Sequence, residues 1–186
     1  MKRIMMLGLA LAAAFAMVAV SAVSVSATGH EFVASKTGKT KSKSTTAQVF
    51  KTGAGTLECS GASGIGEVKE LKSATHKETV TYTGCVAFGG SVTISPAHFE
   101  FSANGSVRLE KRVAIKPVGS ECEILVEPQI LEKVQYGNES GKVSAYTNLF
   151  KIHSKGTGGE CGSENTEGSF TGGALGELEG GTIEWK

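Results

Sequence analysis

The chain has 186 residues, with 19 Lys and Arg against 18 acidic residues, so its formal net charge is +1. That balance excludes a global electrostatic pull toward nucleic acid or toward an anionic membrane. The composition, 40% hydrophobic and 20% charged, is that of an ordinary globular protein rather than a disordered one.

The N-terminus comes first in chain order. Lys2 and Arg3 precede an apolar run from Ile4 to about Val20, and Val25-Ser26-Ala27 fits a small-x-Ala exit. This pattern predicts a signal peptide, residues 1–27, cleaved after Ala27, and a secreted or cell-surface product. The competing expectation is a membrane anchor, since the run is nearly long enough to span a bilayer. The first cysteine is Cys59, far from the exit site, so no lipoprotein is expected. Removing 27 residues from 186 leaves 159, enough for one domain that buries about 70% of its unfolded surface.

Residues 28–47, "TGHEFVASKTGKTKSKSTTA", are rich in Ser, Thr, Gly and Lys. Little in them can be buried, so they read as a flexible lead-in. Lys36, Lys39, Lys41 and Lys43 lie here with no Lys-matching acid between Val33 and Lys51. An anionic cell-wall polymer is the partner such a segment would attract.

From residue 48 to residue 186 the pattern is strand after strand, a single disulfide-stapled β domain. "TVTYTGC" places Val80 and Tyr82 on one face, and "SVRLEKRVAI" does the same with Val107, Leu109, Val113 and Ile115. "CEILV", "KVQY", "KVSAYTNL" and "TIEW" alternate likewise. Alternation with Gly, Asn, Ser or Pro between the runs predicts antiparallel strands. Only residues 67–78 tolerate a helix, and they lack an apolar stripe. The expected architecture is all-β: an antiparallel sandwich of about ten short strands, with a closed barrel as the alternative. Its core would hold Phe88, Phe99, Phe101, Val107, Leu109, Val113, Ile115, Ile124, Val126, Val134, Tyr136, Leu149 and Phe170.

One hairpin can be read in register. In "HFEFSANGSVRLE", a two-residue loop at Asn104-Gly105 would set Phe101 against Arg108 and Phe99 against Glu110. A three-residue loop, Ala103 to Gly105, pairs Phe101 with Val107 and Phe99 with Leu109 on one face. Register follows the buried face, so the longer loop is predicted, with Gly105 left-handed and a bulge.

Four cysteines stand at 59, 85, 122 and 161, with no CxxC. An even count in an oxidising compartment predicts two disulfides. Three connectivities exist. Sequential pairing, Cys59–Cys85 and Cys122–Cys161, closes the shorter loops and is preferred, each bond stabilising by ~3–4 kcal/mol on the loop-entropy model. A zinc site needs close Cys pairs that are missing.

Together, the leader, "VTYTGC", "HFEFSANGSVRLEKRVAI" and "CEILVEPQ" resemble uncharacterised small secreted four-cysteine proteins of actinobacteria, which carry no assigned function. The likeness would cover most of the mature chain. It implies a secreted β fold and nothing about mechanism.

No site chemistry is evident. All acidic residues are Glu, whereas tight calcium loops depend on Asp or Asn. This counts against calcium in "GGECGSENTEGSFTGGALGELEGG" (158–181), which reads instead as a closing hairpin with a solubilising acidic edge. No Gly-x-Ser-x-Gly, Ser-x-x-Lys or His-Glu-x-x-His occurs. "TGKT" at 37–40 has Val33 where a phosphate loop needs Gly. His98 and His153 are expected to face solvent. Glu58, Glu121 and Glu127 could form a hydrolytic carboxylate pair only across a cleft. No catalytic, cofactor-binding or metal residue is therefore assigned. The expected function is a secreted non-enzymatic interaction or structural module. A Glu/His hydrolase, or a carrier of small apolar ligands, is the alternative.

Overall fold

A computed structural model describes residues 29–87, 89–158, 161–162 and 164–186. The expected leader and Phe88 lie outside them. The described residues form sixteen strands and no helix. The first five are β1 (Phe32–Ala34), β2 (Gly38–Ser44), β3 (Gln48–Thr52), β4 (Gly55–Val68) and β5 (Lys72–Ser73). Then come β6 (Thr75–Ala87), β7 (Gly90–Ile94), β8 (Ala97–Ser102), β9 (Ser106–Leu109) and β10 (Val113–Pro117). Next are β11 (Glu123–Val126), β12 (Gln129–Glu132) and β13 (Val134–Glu139). The chain ends with β14 (Lys142–Thr157), β15 (Glu164–Leu178) and β16 (Ile183–Trp185).

The fold is all-β and antiparallel, as its alternating sequence requires. The count exceeds ten because several strands span two to four residues and carry too few side chains to show a period. The ladders also form a circuit. β4 pairs with β6, and the path runs on through β7, β10, β11, β14, β15 and β2 back to β4. The layers facing each other across the core are thus parts of one sheet. β8, β9 and β12 extend from β6 on one side, and β13 lies along β14. The Gln129 side chain ties this branch back to β14. Its Nε2 donates to the His153 carbonyl at 3.1 Å, and its Oε1 accepts from the His153 N–H at 3.0 Å, as a backbone amide would.

The predicted hairpin register is present: Phe99 faces Leu109 and Phe101 faces Val107 across β8 and β9. Gly105 has φ +90°, and the Asn104 side chain accepts from the Ser106 N–H at 3.0 Å. Val107, Leu109, Val113, Ile115, Ile124, Val126, Val134 and Leu149 are buried in one cluster. Phe99, Phe101, Tyr136 and Phe170 pack against it while half-buried.

The flexible lead-in is a correction. Residues 32–34 and 38–44 are strands. β2 lies between β15 and β4, with Lys41 opposite Glu177 and Leu175 opposite Lys43. Its sequence, GKTKSKS, alternates charge with hydroxyl rather than with hydrocarbon. A hydropathy period cannot see such a strand, yet Thr40 is buried and Lys39, Lys41 and Lys43 point outward. The acidic end is corrected with it: β15 is flanked by β14 on one side and by β2 and β3 on the other, so it is no edge. Its charges answer the lysines. Lys41 binds Glu179 at 2.5 Å and Lys142 binds Glu177 at 2.6 Å. Hydrogen bonding and charge from these lysines hold both carboxyls below the ordinary glutamate value of 4.5. Because their folded values are depressed, the stability they add is present above 4.5 and is lost as pH falls below it. Acid titration of the Lys41→Gln variant should show a shallower loss of Tm below that value than the parent shows.

A separate three-stranded sheet, β16-β1-β5, joins the two ends of the described chain. Glu31 and Lys186 exchange backbone hydrogen bonds at 2.7 and 2.9 Å. Phe32, Ala34 and Ile183 from this sheet pack on Val68, Ala103, Val143 and Leu178 as a second apolar cluster. The indole N–H of Trp185, the only Trp, donates to the Ala103 carbonyl at 2.8 Å. Trp185→Phe would leave that acceptor unpaired and should cost about 1–2 kcal/mol by urea denaturation. An unchanged midpoint would show that water replaces the bond.

Candidate functional site

Small inward side chains leave space inside this fold. β2 contributes Ser42 and Ser44, β4 contributes Ala62 and Gly64, and β15 contributes Gly172 and Ala174. Tyr82, Phe99, Phe101, Leu109, Leu149 and Phe170 complete the lining from β6, β8, β9, β14 and β15. These do not reach far enough to close the gap, and a cavity of about 140 Å³ remains. Its walls are hydrocarbon over most of their extent. Gln48 is polar, but its amide N–H groups are spent on the carbonyls of Thr46 and Gly173 at 2.9 and 3.2 Å.

A smaller cavity of about 70 Å³ adjoins it, beneath Phe32 and Ile183 of the end sheet. The two share Ser42, Glu78, Phe101, Ala145 and Ala174 as lining. The smaller one is lined mostly by hydrocarbon, with Thr40, Ser42, His76, Glu78 and Tyr136 along one side. His76 and Glu78 lie two residues apart on β6 and so face the same way. Their side chains are only 14% and 8% exposed. Glu78 Oε2 accepts from the Ser42 hydroxyl at 2.9 Å. His76 Nε2 lies 3.1 Å from Thr40 Oγ1 and 3.6 Å from Glu78 Oε1.

Tyr136 completes the wall. Its ring packs edge-on against Phe32 at 5.2 Å and lies tilted against Trp185 at 5.9 Å. Its hydroxyl is the buried side-chain polar atom that finds no hydrogen-bond partner among the described residues. Burial, and secondarily the charge of Glu78, raise its pKa well above the ordinary tyrosine value. The phenol therefore stays protonated and keeps one unused donor.

The cluster does not have the order of a catalytic triad. A triad places the acid at one imidazole nitrogen and the nucleophile at the other. Here Thr40 and Glu78 both face Nε2 of His76. The carboxylates singled out from sequence do not join it. Glu58 and Glu121 are exposed, and Glu127 is bound to Arg112 at 3.0 Å. His153 is exposed as expected, whereas His98 is half-buried with its Nδ1 3.2 Å from Thr79 Oγ1. Among the described residues no three His, Cys or Glu side chains gather as metal ligands, and no helix is long and apolar enough to cross a membrane.

Both disulfides join the expected partners, Cys59–Cys85 and Cys122–Cys161. The first links residues directly opposite in the β4–β6 ladder, with Cα atoms 3.9 Å apart. It borders the larger cavity through Cys59. Asn104 and Gly105 sit on a hairpin tip as a structural turn. Sequence reading placed Tyr136 in the core but missed the buried grouping of Thr40, Ser42, His76 and Glu78. The only signal was the alternation of "THKETVTY", in which His76, Glu78, Val80 and Tyr82 share one parity.

Comparison with protein-family models, with curated proteins and with solved structures returned no match. The resemblance to small secreted four-cysteine proteins therefore rests on the quoted motifs alone.

Proposed function

We propose that this chain is a secreted, non-enzymatic β domain that acts outside the cell by binding, and that a small apolar molecule occupies its interior cavity. The observation that carries the reading is the cavity itself. Protein interiors pack densely and keep few voids larger than a water molecule. A cavity of about 140 Å³ is well beyond that. It is of the size that holds benzene or xenon when lined by hydrocarbon. Here the space follows from Ser, Gly and Ala on three adjacent inward faces, where Val or Leu would fill it. The leader and the two disulfides support the extracellular setting.

Ethylbenzene is the test probe. At about ten times its Kd it should raise Tm by about 3–6 °C through binding linkage. Ala174→Leu, placed in the lining, should abolish the rise while leaving the protein folded. No shift with ethylbenzene, benzene or pressurised xenon would remove the reading.

The exposed row of Lys39, Lys41 and Lys43 favours a second role, retention on anionic cell-wall polymer with Lys36. Deleting residues 28–47 would remove β1 and β2, so the clean variant is Lys39→Gln with Lys43→Gln. Salt-sensitive retention on isolated walls should fall; equal retention would refute the role.

A further inference from the structure

The polar wall of the smaller cavity carries more than the cavity reading needs, and this inference rests on that reading. Tyr136 brings a buried hydroxyl with no partner. Glu78 brings a carboxylate, only 8% exposed, of which Oε2 takes one hydrogen bond from Ser42. Both line the space that adjoins the apolar cavity. A buried donor left unpaired costs about 1–3 kcal/mol, and the large majority of buried polar groups in native structures have a protein or water partner.

The chemistry of that partner follows from the two protein groups. Tyr136 offers a proton and needs an acceptor. Glu78 has lone pairs to spare and needs a donor. A carboxylate ligand would answer Tyr136 but meet the charge of Glu78 at close range. A ketone would answer Tyr136 alone. An ammonium has no lone pair, so it would answer Glu78 alone. A hydroxyl accepts one hydrogen bond and donates another, and answers both.

We propose that the smaller cavity, where it adjoins the larger, is a hydroxyl-recognition site. Its ligand is a small monohydric alcohol or phenol with a benzene-sized apolar body. The body occupies the larger cavity. The hydroxyl accepts from Tyr136 and donates to Glu78, with Ser42 holding the carboxylate in place. Discrimination should be strong in the direction of the hydroxyl, because a site built to hydrogen-bond a hydroxyl leaves its own buried groups unpaired when the ligand lacks one.

Three isosteres test this by isothermal titration calorimetry of the mature, disulfide-bonded protein: benzyl alcohol, ethylbenzene and benzylamine. Benzyl alcohol is expected to bind at least tenfold tighter than ethylbenzene, although ethylbenzene is the more hydrophobic. Tyr136→Phe should erase that preference and leave ethylbenzene affinity unchanged, which also shows that the variant is folded. Ser42→Ala should weaken the alcohol more than it changes the hydrocarbon.

If ethylbenzene binds and the alcohol is no tighter, the polar wall holds water only. The hydroxyl site is then wrong while the cavity function stands. If benzylamine binds tightest, Glu78 alone reads the head group and the role of Tyr136 is overturned. If none of the three binds, the cavity function fails and the hydroxyl site fails with it. The fluorescence of Trp185, whose ring lies 5.9 Å from that of Tyr136, gives an independent readout confined to this end of the molecule.

Discussion

Replacing Cys59 and Cys85 together by Ala is expected to lower the unfolding free energy by about 3–4 kcal/mol on the loop-entropy model. The bond closes a loop over a sequence separation of 26 residues. Its main effect is on the unfolded chain, which would otherwise explore many more conformations. In the folded protein the two residues already face each other in the β4–β6 ladder, so their position does not depend on the bond. Cys59 is fully buried and Cys85 nearly so, and loss of the sulfurs adds a small packing penalty to the entropic one. Set against total stabilities of about 5–15 kcal/mol for domains of this kind, the loss is a large fraction. By calorimetry, Tm should fall by about 6–16 °C. A fall of less than 2 °C would show that the unfolded ensemble is restricted by something other than this bond. The Cys122–Cys161 pair, with a sequence separation of 39, should behave alike.

Gly105→Val is the second large effect, at about 2–4 kcal/mol. Two costs act together. At φ +90° a β-branched residue is strained by about 1–3 kcal/mol. An added Cβ would also stand 2.9 Å from the carbonyl oxygen of Val134. That neighbour cannot retreat freely, because the Val134 N–H donates to the Gly105 carbonyl at 2.9 Å. Moving one strains the other, and the link between the β8–β9 hairpin and the start of β13 loosens. Gly105→Asn should cost less, since Asn tolerates the left-handed region, so the pair of variants separates backbone strain from the added contact. Urea denaturation with both variants measures it. A valine variant as stable as the parent would mean that the turn is assigned wrongly.

Where hydrocarbon alternates with charge, the strands and their inward faces are legible in the amino-acid sequence. Val107, Leu109, Val113 and Ile115 are examples, all buried. The hairpin at Asn104-Gly105 is legible in register, because only one loop length puts Phe99, Phe101, Val107 and Leu109 on a common face. The disulfide partners are the preferred of three possible connectivities, the one that closes the shorter loops. The polar strand β2 is not legible. Its inward residues, Thr40, Ser42 and Ser44, are as hydrophilic as a linker's, and its outward lysines suggest solvent. The acidic end looks like an exposed edge for the same reason: each half of the Lys41–Glu179 and Lys142–Glu177 pairs lacks its counterpart nearby in sequence.

By itself the sequence determined the fold class, the face of each apolar strand and one turn, because each is set by short-range alternation or by the conformational demands of glycine. The tertiary structure alone decided that the ladders form a circuit, that residues 38–44 join the main sheet and 32–34 the end sheet, and that Thr40, Ser42, His76, Glu78 and Tyr136 meet around a cavity. Those facts depend on which faces lie opposite one another across strands far apart in the chain. A void in particular has no residue of its own. It exists where the small side chains of β2, β4 and β15 leave space that the aromatic side chains lining it do not fill.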